Sequence, residues 1–347
     1  IIVVNYDGAR LLVECLRSVL DLSDYPEYEV LVVDNGSKDD SVNQVMARFS
    51  KTDKIRIIPL GKNFGFAEGS NLGYANSSPE AKYIVFLNND VTVRRGWLRS
   101  LVMALEERED VGVAQPVILS SESPEEFSGG YMDVFGDWDF SELNRRRVQT
   151  SHECFYAQGA ALITRRKVIQ EIGLFNPRYF WNFEETDFCW RSRLAGYNVA
   201  VIHSSEVYHV GSATMKRHVT TLVPFHIHKN RLYTLLVNYE VRNIFRYASW
   251  AIISQIINAA TDIVLSVLNE DMKMHYHRAY GFGRLVALLY ILAHIPDIWR
   301  DRLVVQKLIR KRSDREIVGK SLVIPQPVLP NSILAKIRRI SIYLRIR

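Results

Sequence analysis

Acidic side chains are crowded in one short stretch of this chain, Phe183–Arg191, where Glu184, Glu185 and Asp187 occupy three of four consecutive positions. At the start of a predicted helix, such carboxylates would in most proteins only stabilise the positive end of the helix dipole. Carboxylates crowded beside a cleft also raise one another's pKa, which suits one of them to accept a proton from a reacting group. The stretch therefore predicts either helix capping or a general base.

A buried strand that ends in an acid is the second candidate for chemistry. The apolar run Val30–Val33 is followed by Asp34, Asn35 and Gly36. A carboxylate held at a strand end can accept a hydrogen bond from the imide N–H of a uracil or thymine ring. The same residues are also typical of a tight turn with a helix cap at Asp39. The pattern alone leaves both interpretations open.

A glycine-rich loop, Gly61–Asn71, runs into a predicted helix that begins near Ala67. Its backbone N–H groups and the helix N-terminus could bind a diphosphate or a ribose. The spacing of its glycines matches neither G-x-G-x-x-G nor G-x-x-x-x-G-K-[ST]. Dehydrogenases and P-loop enzymes therefore lose support.

Two further polar positions follow predicted strands. Asn88, Asn89 and Asp90 end an apolar run, and the Asp90 carboxylate is the hard-oxygen type of ligand that Mg²⁺ or Mn²⁺ prefers. His209 follows a later strand, about 22 residues after the acidic stretch. A polar turn at residues 88–90 and a structural histidine are the simpler interpretations.

The elements that must position these residues alternate between short β-rich runs and helical periodicity, which is typical of β-α units in a wound sheet. Ligands of such sheets bind at the carboxyl ends of the strands, where these motifs lie. The predicted strands are Ile1–Asn5, Glu29–Asp34, Ile55–Pro59, Lys82–Leu87 and Val111–Leu119, followed by the apolar run Ala160–Thr164. The predicted helices begin near Arg10, Asp40, Ala67 and Arg95, and later cover Arg165–Ile172 and Glu185–Ala195. Residues 120–153 predict a long loop over the sheet edge that acts as a binding lid.

In order and spacing, the five motifs resemble those of family-2 glycosyltransferases of the GT-A fold, and the 61–71 loop resembles that of rhamnosyltransferase-like members. The resemblance covers roughly residues 1–215. It implies an α/β fold, a GT-A-like, Rossmann-type wound mixed sheet with a C-terminal helical extension. It also implies inverting transfer of a sugar from a UDP- or dTDP-linked donor, with rhamnose as one candidate. The acceptor would be a hydroxyl of a saccharide or a lipid-linked molecule in cell-surface polysaccharide or glycolipid synthesis.

The resemblance implies a role for each motif. Glu185 matches the family's catalytic base, usually an Asp, with Glu184 and Asp187 beside it. Asp90 and His209 match metal ligands for a divalent cation, Mg²⁺ or Mn²⁺. The family's D-x-D motif is incomplete here, because Asn replaces its first acid. Donor binding is implied for Asn5, Tyr6, Asp34, Asn35, Gly36, Lys62, Asn63, Gly65, Phe66, Asn71, Asn88 and Asn89.

Charge divides the chain, and we expect two domains, residues 1–224 and residues 225–347. Residues 226–347 hold 20 Lys and Arg against 8 Asp and Glu, a net charge of +12, which leaves −6 for residues 1–225. Trp250–Leu268 has apolar residues at helical spacing with polar residues on its other side, and the apolar run Leu285–Ile295 is too short to span a bilayer. These helices could lie on an anionic membrane surface, or form a soluble bundle that packs on the catalytic domain or on a second subunit.

Cysteine usage favours a reducing compartment. Cys15, Cys154 and Cys189 are far apart and form no C-x-x-C pair, so we expect neither disulfides nor structural zinc. The chain opens on the strand-like run Ile1–Val4 rather than on a secretory signal, and a few residues could be missing upstream. We expect a cytoplasmic protein, peripheral on the membrane at most, with no nucleic-acid partner.

Two other classes stay open. A nucleotidyltransferase would share the wound sheet and the metal, but would need a Gly-rich basic loop after the first strand, where Asn5–Gly8 stands. A catalytically silent nucleotide-sugar-binding protein is favoured by the two departures from the family pattern, Asn88 and Glu185.

Overall fold

The computed structural model describes residues 1–120, 126–127, 129–138, 150–211, 222–268, 273–317 and 323–324. The chain forms two compact units. The sheet unit comprises Ile1–Tyr131, Asp139–Ala213 and Ile309–Arg312, and the helical unit comprises Met132–Trp138, Thr214–Leu308 and Ser313–Arg347. The predicted domain boundary after residue 224 stays a prediction. Half of the predicted lid, residues 121–125, 128 and 139–149, lies outside the described residues, and the described half contains three short strands rather than loop alone.

A mixed sheet dominates the sheet unit. The described strands are β1 (Ile2–Asn5), β2 (Val30–Asp34), β3 (Ile55–Pro59), β4 (Tyr83–Asn88), β5 (Val91–Val93), β6 (Val111–Ser120), β7 (Glu126–Phe127), β8 (Met132–Asp133), β9 (His152–Glu153), β10 (Ala161–Arg165), β11 (Asn198–His209) and β12 (Val323–Ile324). The main sheet has the order β3-β2-β1-β4-β10-β6-β11-β5, with β7 on β6 and β9 on β11. Strands β1 to β4 run parallel, and β10 runs antiparallel to both of its neighbours. The short strands β8 and β12 pair with each other in the helical unit.

In the sheet unit the helices alternate with strands as predicted, and the helical unit adds helices that follow one another. They are α1 (Ala9–Leu22), α2 (Ser41–Phe49), α3 (Gly65–Ala75), α4 (Trp97–Glu107), α5 (Arg166–Ile172), α6 (Glu184–Leu194), α7 (Leu222–Asn238), α8 (Val241–Asn243), α9 (Ser249–Leu268), α10 (Lys273–Ala293), α11 (Ile295–Val304) and α12 (Asp314–Ile317). Each predicted strand is present to within about one residue, and each predicted helix start to within about two. The prediction of a wound, mixed α/β sheet is confirmed.

Local sequence explains the central elements. All five residues of β2 are buried because the strand lies between β1 and β3 and is covered on its faces, which suits its continuous apolar run. Helix α1 buries Leu12, Cys15, Leu16 and Val19, the i, i+3, i+4 stripe of an amphipathic helix, in the core of the sheet unit. The order β3-β2-β1-β4 reverses direction between β1 and β4, which creates a crevice at the carboxyl ends of these strands.

The helical unit is held by polar contacts as well as by apolar packing. Arg231 of α7 forms an ion pair with Asp137, and the Tyr239 hydroxyl donates a hydrogen bond to the carbonyl of Val134 at 2.8 Å. The carboxylate of Asp314 accepts hydrogen bonds from the Glu240 backbone N–H at 2.7 Å and from Asn243 Nδ2 at 2.8 Å. The segment 132–138 therefore belongs to the core of the helical unit.

Candidate active site

The carboxyl ends of β1, β2 and β4 bring three of the sequence motifs together. Asn5 is in register with Asp34 on one side of β1, and Val4 is in register with Asn88 on the other. The side chain of Asn5 is buried and accepts a hydrogen bond from Asn89 Nδ2 at 2.7 Å. Residues from two predicted motifs, far apart in the chain, therefore form one polar edge at the crevice between β1 and β4.

The turn after β2 is tied to the turn after β1. Asn5 Nδ2 donates to the Ser37 hydroxyl at 3.1 Å, and Asp7 accepts hydrogen bonds from the backbone N–H groups of Lys38 and Asp39 at 2.6 and 3.2 Å. Asp7 has a left-handed backbone, with φ of 50°. Sequence reasoning missed Asp7, although an Asp-Gly pair directly after a strand is a common turn signal.

Asp39 forms hydrogen bonds at the start of α2, but the N-cap residue of that helix is Asp40 and not the predicted Asp39. The carboxylate of Asp39 accepts hydrogen bonds from the backbone N–H of Ala9 at 3.0 Å and from that of Ser41, the first residue of α2, at 3.1 Å. Partial burial raises the pKa of Asp39, but the hydrogen bonds from Ser41 and Ala9 outweigh it, and the pKa is lowered overall. These hydrogen bonds of Asp39 and a ligand site at Asp34 are compatible, because they use different carboxylates.

Asp34 and Gly36 lie where a nucleotide base was predicted to bind. Asp34 is buried at the strand end, and its Oδ1 accepts a hydrogen bond from the Ser37 N–H at 3.3 Å. Gly36 has φ of +78°, and a Cβ there would lie 2.6 Å from the backbone of Lys62. Only glycine allows the two loops to approach this closely.

Asn35 holds the glycine-rich loop in place. Its buried side-chain amide donates to Asn63 Oδ1 at 3.1 Å and to the Gly65 carbonyl at 3.0 Å, and its oxygen accepts from the Phe64 N–H at 2.9 Å. Asn63 Oδ1 also accepts from the Gly65 N–H at 2.8 Å. Asn35 and Asn63 are thus engaged with each other and with the loop backbone. Their predicted contacts with the donor stay predictions.

The other predicted donor residues differ in exposure. Tyr6 and Lys62 are exposed, and Lys62 Nζ lies 4.6 Å from the ring centroid of Phe64. Phe66 packs 6.3 Å from Phe175 in an aromatic cluster. Asn71 Nδ2 donates to the carbonyl of the same Phe175 at 2.8 Å. The structure therefore gives Phe66 and Asn71 packing roles, while Tyr6 and Lys62 have side chains open to a ligand.

The glycine-rich loop also contacts the segment that precedes α6. Gly65 has φ of +84°, and a Cβ there would lie 2.4 Å from the carbonyl oxygen of Phe180. That oxygen also accepts a hydrogen bond from the Ala67 N–H at 3.3 Å. Phe180, Asn182 and Phe183 all have positive φ values, of 59°, 70° and 71°. Residues other than glycine are strained in the left-handed backbone conformation, and such residues cluster at functional sites.

Gly65→Ala is expected to destabilise the protein by about 3 kcal/mol or more, because a left-handed Ala is strained and its Cβ meets a backbone oxygen that cannot move freely. Gly61→Ala is the matched control. Gly61 has φ of +73° but nothing within 4 Å of an added Cβ, so only the backbone strain, about 1 kcal/mol, should appear. Urea unfolding measures both. Equal losses of stability in the two variants would show that the contact between residue 65 and Phe180 adds nothing to the cost of Gly65→Ala.

Asp90 and His209, which are 119 positions apart in the chain, lie side by side. Strand β5 pairs with the end of β11, so that Val91 is in register with His209. The His209 Nε2 atom lies 3.1 Å from Asp90 Oδ1, and the Val210 N–H donates to the Asp90 carbonyl at 3.1 Å. Both side chains are partly accessible. One carboxylate and one imidazole therefore converge just beyond the end of β4.

Glu185 has the environment of a general base. It lies in the first turn of α6, is buried, and its Oε2 atom has no hydrogen-bond partner among the described residues. Burial raises the pKa of Glu185 from its ordinary 4.5 to about 7, against the opposing effect of hydrogen bonds from the N–H groups of Glu185 and Thr186. A carboxylate with a pKa near neutrality and an oxygen without a hydrogen-bond partner can accept a proton at physiological pH.

A short chain of contacts connects Glu185 with the end of β4. Gly159 lies against the Glu185 side chain, since a Cβ there would be in ordinary van der Waals contact, 3.6 Å from the carboxyl carbon. The next residue, Ala160, accepts a hydrogen bond from the Asn88 N–H at 2.9 Å. Sequence reasoning missed Gly159. The glycine directly before the apolar run that forms β10 was the signal available.

Asp187 is engaged differently from Glu185. Its Oδ2 accepts a hydrogen bond from Arg191 Nε at 2.8 Å, and both side chains are buried. Arg191 also donates to the carbonyls of Ile172, Gly173 and Leu174, at 2.6, 3.1 and 2.7 Å. The pair therefore fixes α6 to the segment that follows α5. Glu184, the first residue of α6, is buried as well.

Comparison with known proteins agrees with this geometry. The model of the family described as glycosyl transferase family 2 matches residues 1–173. The chain belongs to this family. The match includes the ends of β1, β2 and β4 and the glycine-rich loop, so the predicted family and the predicted glycosyltransferase activity are confirmed.

Relatives of this glycosyltransferase include rhamnosyltransferases. It is 24% identical over 233 residues to N-acetylglucosaminyl-diphospho-decaprenol L-rhamnosyltransferase of Mycobacterium tuberculosis, covering 60% of this chain and 75% of the relative. It is 22% identical over 218 residues to dTDP-rhamnosyl transferase RfbF of Shigella flexneri, covering 62% and 69%. The solved mannosyltransferase PcManGT of Pyrobaculum calidifontis, in complex with GDP-Man and Mn²⁺, superposes with a TM-score of 0.53 at 15% identity, over 84% of this chain and 86% of that one. The predicted GT-A fold is confirmed.

The roles predicted for individual residues of this glycosyltransferase stay predictions. The structure brings Asn5, Asp34, Asn88, Asn89 and the glycine-rich loop to one edge of the sheet. It places Asp90 beside His209, and it links Glu185 to the same edge through residues 159 and 160. Within the described residues, no cluster of three or more His, Cys, Asp or Glu side chains forms a metal site.

Proposed function

We propose that this glycosyltransferase moves a sugar, with inversion at the anomeric carbon, from a UDP- or dTDP-linked donor to an acceptor hydroxyl. The observation that carries the proposal is Glu185, a buried carboxylate with a pKa of about 7 and one oxygen without a hydrogen-bond partner, which lies against Gly159, next to the residue that pairs with Asn88 at the end of β4. Rhamnose is the sugar that the names of two relatives suggest. The acceptor is a saccharide or a lipid-linked molecule in cell-surface polysaccharide or glycolipid synthesis.

The proposed reaction is one displacement. Glu185 takes the proton of the acceptor hydroxyl while the hydroxyl oxygen attacks the anomeric carbon. The bond from that carbon to the donor's diphosphate breaks, and the nucleoside diphosphate leaves with the electron pair. Because attack and departure occur on opposite faces, the configuration inverts. An α-linked donor gives a β-linked product, and a rhamnose donor inverts correspondingly.

The donor is proposed to bind along the strand ends. Asp34 accepts a hydrogen bond from the imide N–H of the base, and Tyr6 offers an exposed ring beside it. Lys62 lies in the loop closest to Gly36 and carries the positive charge that a diphosphate requires. Asn88 and Asn89 lie at the end of β4, where the ribose is expected.

A divalent cation fits the residues at Asp90 and His209. The carboxylate oxygen suits Mn²⁺ or Mg²⁺, whereas the imidazole nitrogen favours Mn²⁺ of the two, because Mg²⁺ prefers oxygen ligands. The neutral amide of Asn88 adds no charge there. When bound, the cation would offset the negative charge that develops on the leaving diphosphate. Asp90 and His209 would hold it near the end of β4.

Asp90→Ala is expected to abolish the metal-dependent part of nucleoside-diphosphate binding, and His209→Ala to weaken it about 10-fold or more, because each removes a ligand. Calorimetric titration of UDP and dTDP, with and without Mn²⁺, measures this. Asp53→Ala, in an exposed turn of the sheet unit, is the control and should behave as the wild type. Wild-type affinity and wild-type metal dependence in both variants would exclude the site.

Donor identity is tested by transfer and by ligand stabilisation. The donor that the enzyme uses should raise its melting temperature in the presence of Mn²⁺, since a ligand that binds the folded state stabilises it. We expect dTDP-rhamnose to do so more than UDP-hexoses, and to give a glycosylated product with a lipid-linked acceptor. Binding without transfer or hydrolysis of any donor would instead indicate a silent binding protein. Release of pyrophosphate from a nucleoside triphosphate would indicate a nucleotidyltransferase.

A further inference from the structure

Helix α9 has its polar residues inside and its apolar residues outside. Gln255 and Asp262 are each 1% exposed, whereas Ile256 is 52% exposed. Asp262 is the only charged residue in the helix. The exposed apolar side chains follow one face at helical spacing: Trp250, Ile253, Ile256, Val264 and Val267. Helices of water-soluble bundles have the opposite arrangement.

The buried polar residues of α9 face α10. Asp262 forms an ion pair with Arg284 and lies close to His277, whose Nδ1 is 3.1 Å from Asp262 Oδ1. Gln255 Nε2 donates to the Arg284 carbonyl at 3.1 Å. A Cβ at Gly281 would lie 3.2 Å from the Ala259 carbonyl, so small residues let the two helices approach closely. The order of these contacts makes α9 and α10 antiparallel.

Helix α10 continues the apolar surface. Its exposed residues include Phe282, Leu285, Val286, Leu289 and Leu292, and residues 285–293 carry no charge. We call the exposed apolar residues of α9 and α10 the apolar face. An apolar surface of this extent is unfavourable in water and marks an interaction site. Apolar side chains outside and paired charges inside are the arrangement that lipid favours.

We infer that the apolar face lies in the hydrocarbon of an anionic lipid bilayer. Exposed basic residues lie at one end of the apolar face. Arg242 and Arg246 precede α9, and Arg300 follows α10 in α11, where it is paired with Asp297 and Asp301. Because the helices are antiparallel, these positions lie at the same end of the pair. The exposed indoles of Trp250 and Trp299 are at this end as well. Arg and Trp side chains together suit the headgroup region of an anionic membrane.

The helix pair lies along the bilayer surface rather than across it. By length and composition, Val241–Val267 could cross a membrane, with a mean hydropathy of 1.5 and 33% of its window buried. However, α10 also packs against α7, where Lys229 and Arg231 are buried in the helical unit. Lys229 Nζ lies 5.0 Å from the ring of Tyr290 in α10. Only one side of the pair is therefore apolar and open to lipid, which is typical of an interfacial helix.

The inference rests on the proposed function in one respect, because a lipid-linked acceptor is found in a bilayer. The helical unit would hold the enzyme at the surface where that acceptor is presented. Binding to the bilayer and sugar transfer are separate properties, however, and each can be measured without the other.

Co-sedimentation of the full chain with vesicles tests the inference. We expect binding to vesicles of phosphatidylcholine with phosphatidylglycerol, and weaker binding to phosphatidylcholine alone. The double variant Ile256→Glu, Leu289→Glu places a charge on each helix of the apolar face and should lower vesicle affinity by at least about 10-fold. Met46→Glu, at an exposed apolar residue of the sheet unit, is the matched control and should bind as the wild type. Arg246→Gln should weaken binding to anionic vesicles about 5-fold.

Tryptophan fluorescence gives a second measurement that needs no charged variant. Lipids brominated on their acyl chains should quench the wild-type emission, and Trp250→Phe, Trp299→Phe should lose that quenching while the other tryptophans report a folded chain. Wild-type protein that stays in the supernatant with anionic vesicles overturns the inference. A lipid-free dimer that the Ile256→Glu, Leu289→Glu variant dissociates, with vesicle binding unchanged, assigns the apolar face to a second copy instead. Transfer to a water-soluble acceptor in lipid-free buffer should be equal in the wild type and this variant. If neither protein transfers sugar, the proposed function is refuted, but the vesicle-binding result is unaffected.

Discussion

Glu185→Gln is expected to lower kcat by about 10²- to 10⁴-fold while donor affinity stays near that of the wild type. The substitution keeps the size of the side chain and its ability to accept the hydrogen bonds of the α6 N-terminus, but it removes the proton acceptor. Steady-state transfer kinetics, with donor binding measured separately by calorimetry, tests this result.

Glu184→Gln and Asp187→Asn are the matched comparisons in the same helix turn. Asp187 is paired with Arg191, so its neutralisation should affect stability more than the chemical step. If Asp187→Asn abolishes transfer and Glu185→Gln remains active, the base is Asp187. If all three variants transfer sugar at the wild-type rate, general-base catalysis by this stretch is excluded.

The raised pKa of Glu185 predicts that kcat rises with pH while the free energy of unfolding falls. The base must be ionised, so kcat should rise with pH up to about 7 and then level off. Between pH 4.5 and about 7 the folded state retains a proton that the unfolded state has lost, so stability falls as pH rises through this window. Above it, the ionised carboxylate costs about 3 kcal/mol. Glu185→Gln should therefore be more stable than the wild type at pH 8. Its residual activity should no longer rise with pH.

Arg191→Met is expected to destabilise the protein by about 3–5 kcal/mol, the largest stability effect that we predict. The change leaves the Asp187 carboxylate buried without its guanidinium and removes three hydrogen bonds to backbone carbonyls. Urea unfolding at pH 7 measures the loss.

The chain offers a control for that experiment with the same spacing in sequence. Arg10 and Glu14 of α1 are also four residues apart, with 3.8 Å between charged atoms, but their side chains are 84% and 52% exposed. Arg10→Met should change stability by less than about 0.5 kcal/mol. Adding Asp187→Asn to Arg191→Met should recover part of the loss, because no buried charge then remains at that position. Similar losses for Arg10→Met and Arg191→Met would show that burial does not decide the strength of these pairs.

Sequence alone was enough to predict strands β1 to β4, β6 and β10 and helices α1 to α6, because each one is a local pattern, but it did not predict the short strands β5, β7 and β9 of the same sheet. The continuous apolar run of β2 and the apolar stripe of α1 are independent of distant residues. The polar residues after each run were predictable as a site for the same reason, since parallel strands place their carboxyl ends at one edge. The antiparallel insertion of β10 was not predictable, because its apolar run is equally compatible with either direction.

Only the tertiary structure distinguished the acids of the 184–187 stretch. In sequence they are three similar carboxylates, but burial without a partner for Oε2 raises the pKa of Glu185, whereas Arg191 pairs with Asp187. The pairing of β5 with β11 likewise decided that Asp90 and His209 meet. In α9, amphipathic periodicity was visible in the sequence, but which face is buried was not, because periodicity separates two faces without saying what covers each. Local patterns determine elements, whereas burial, pKa and proximity depend on groups that only folding brings together.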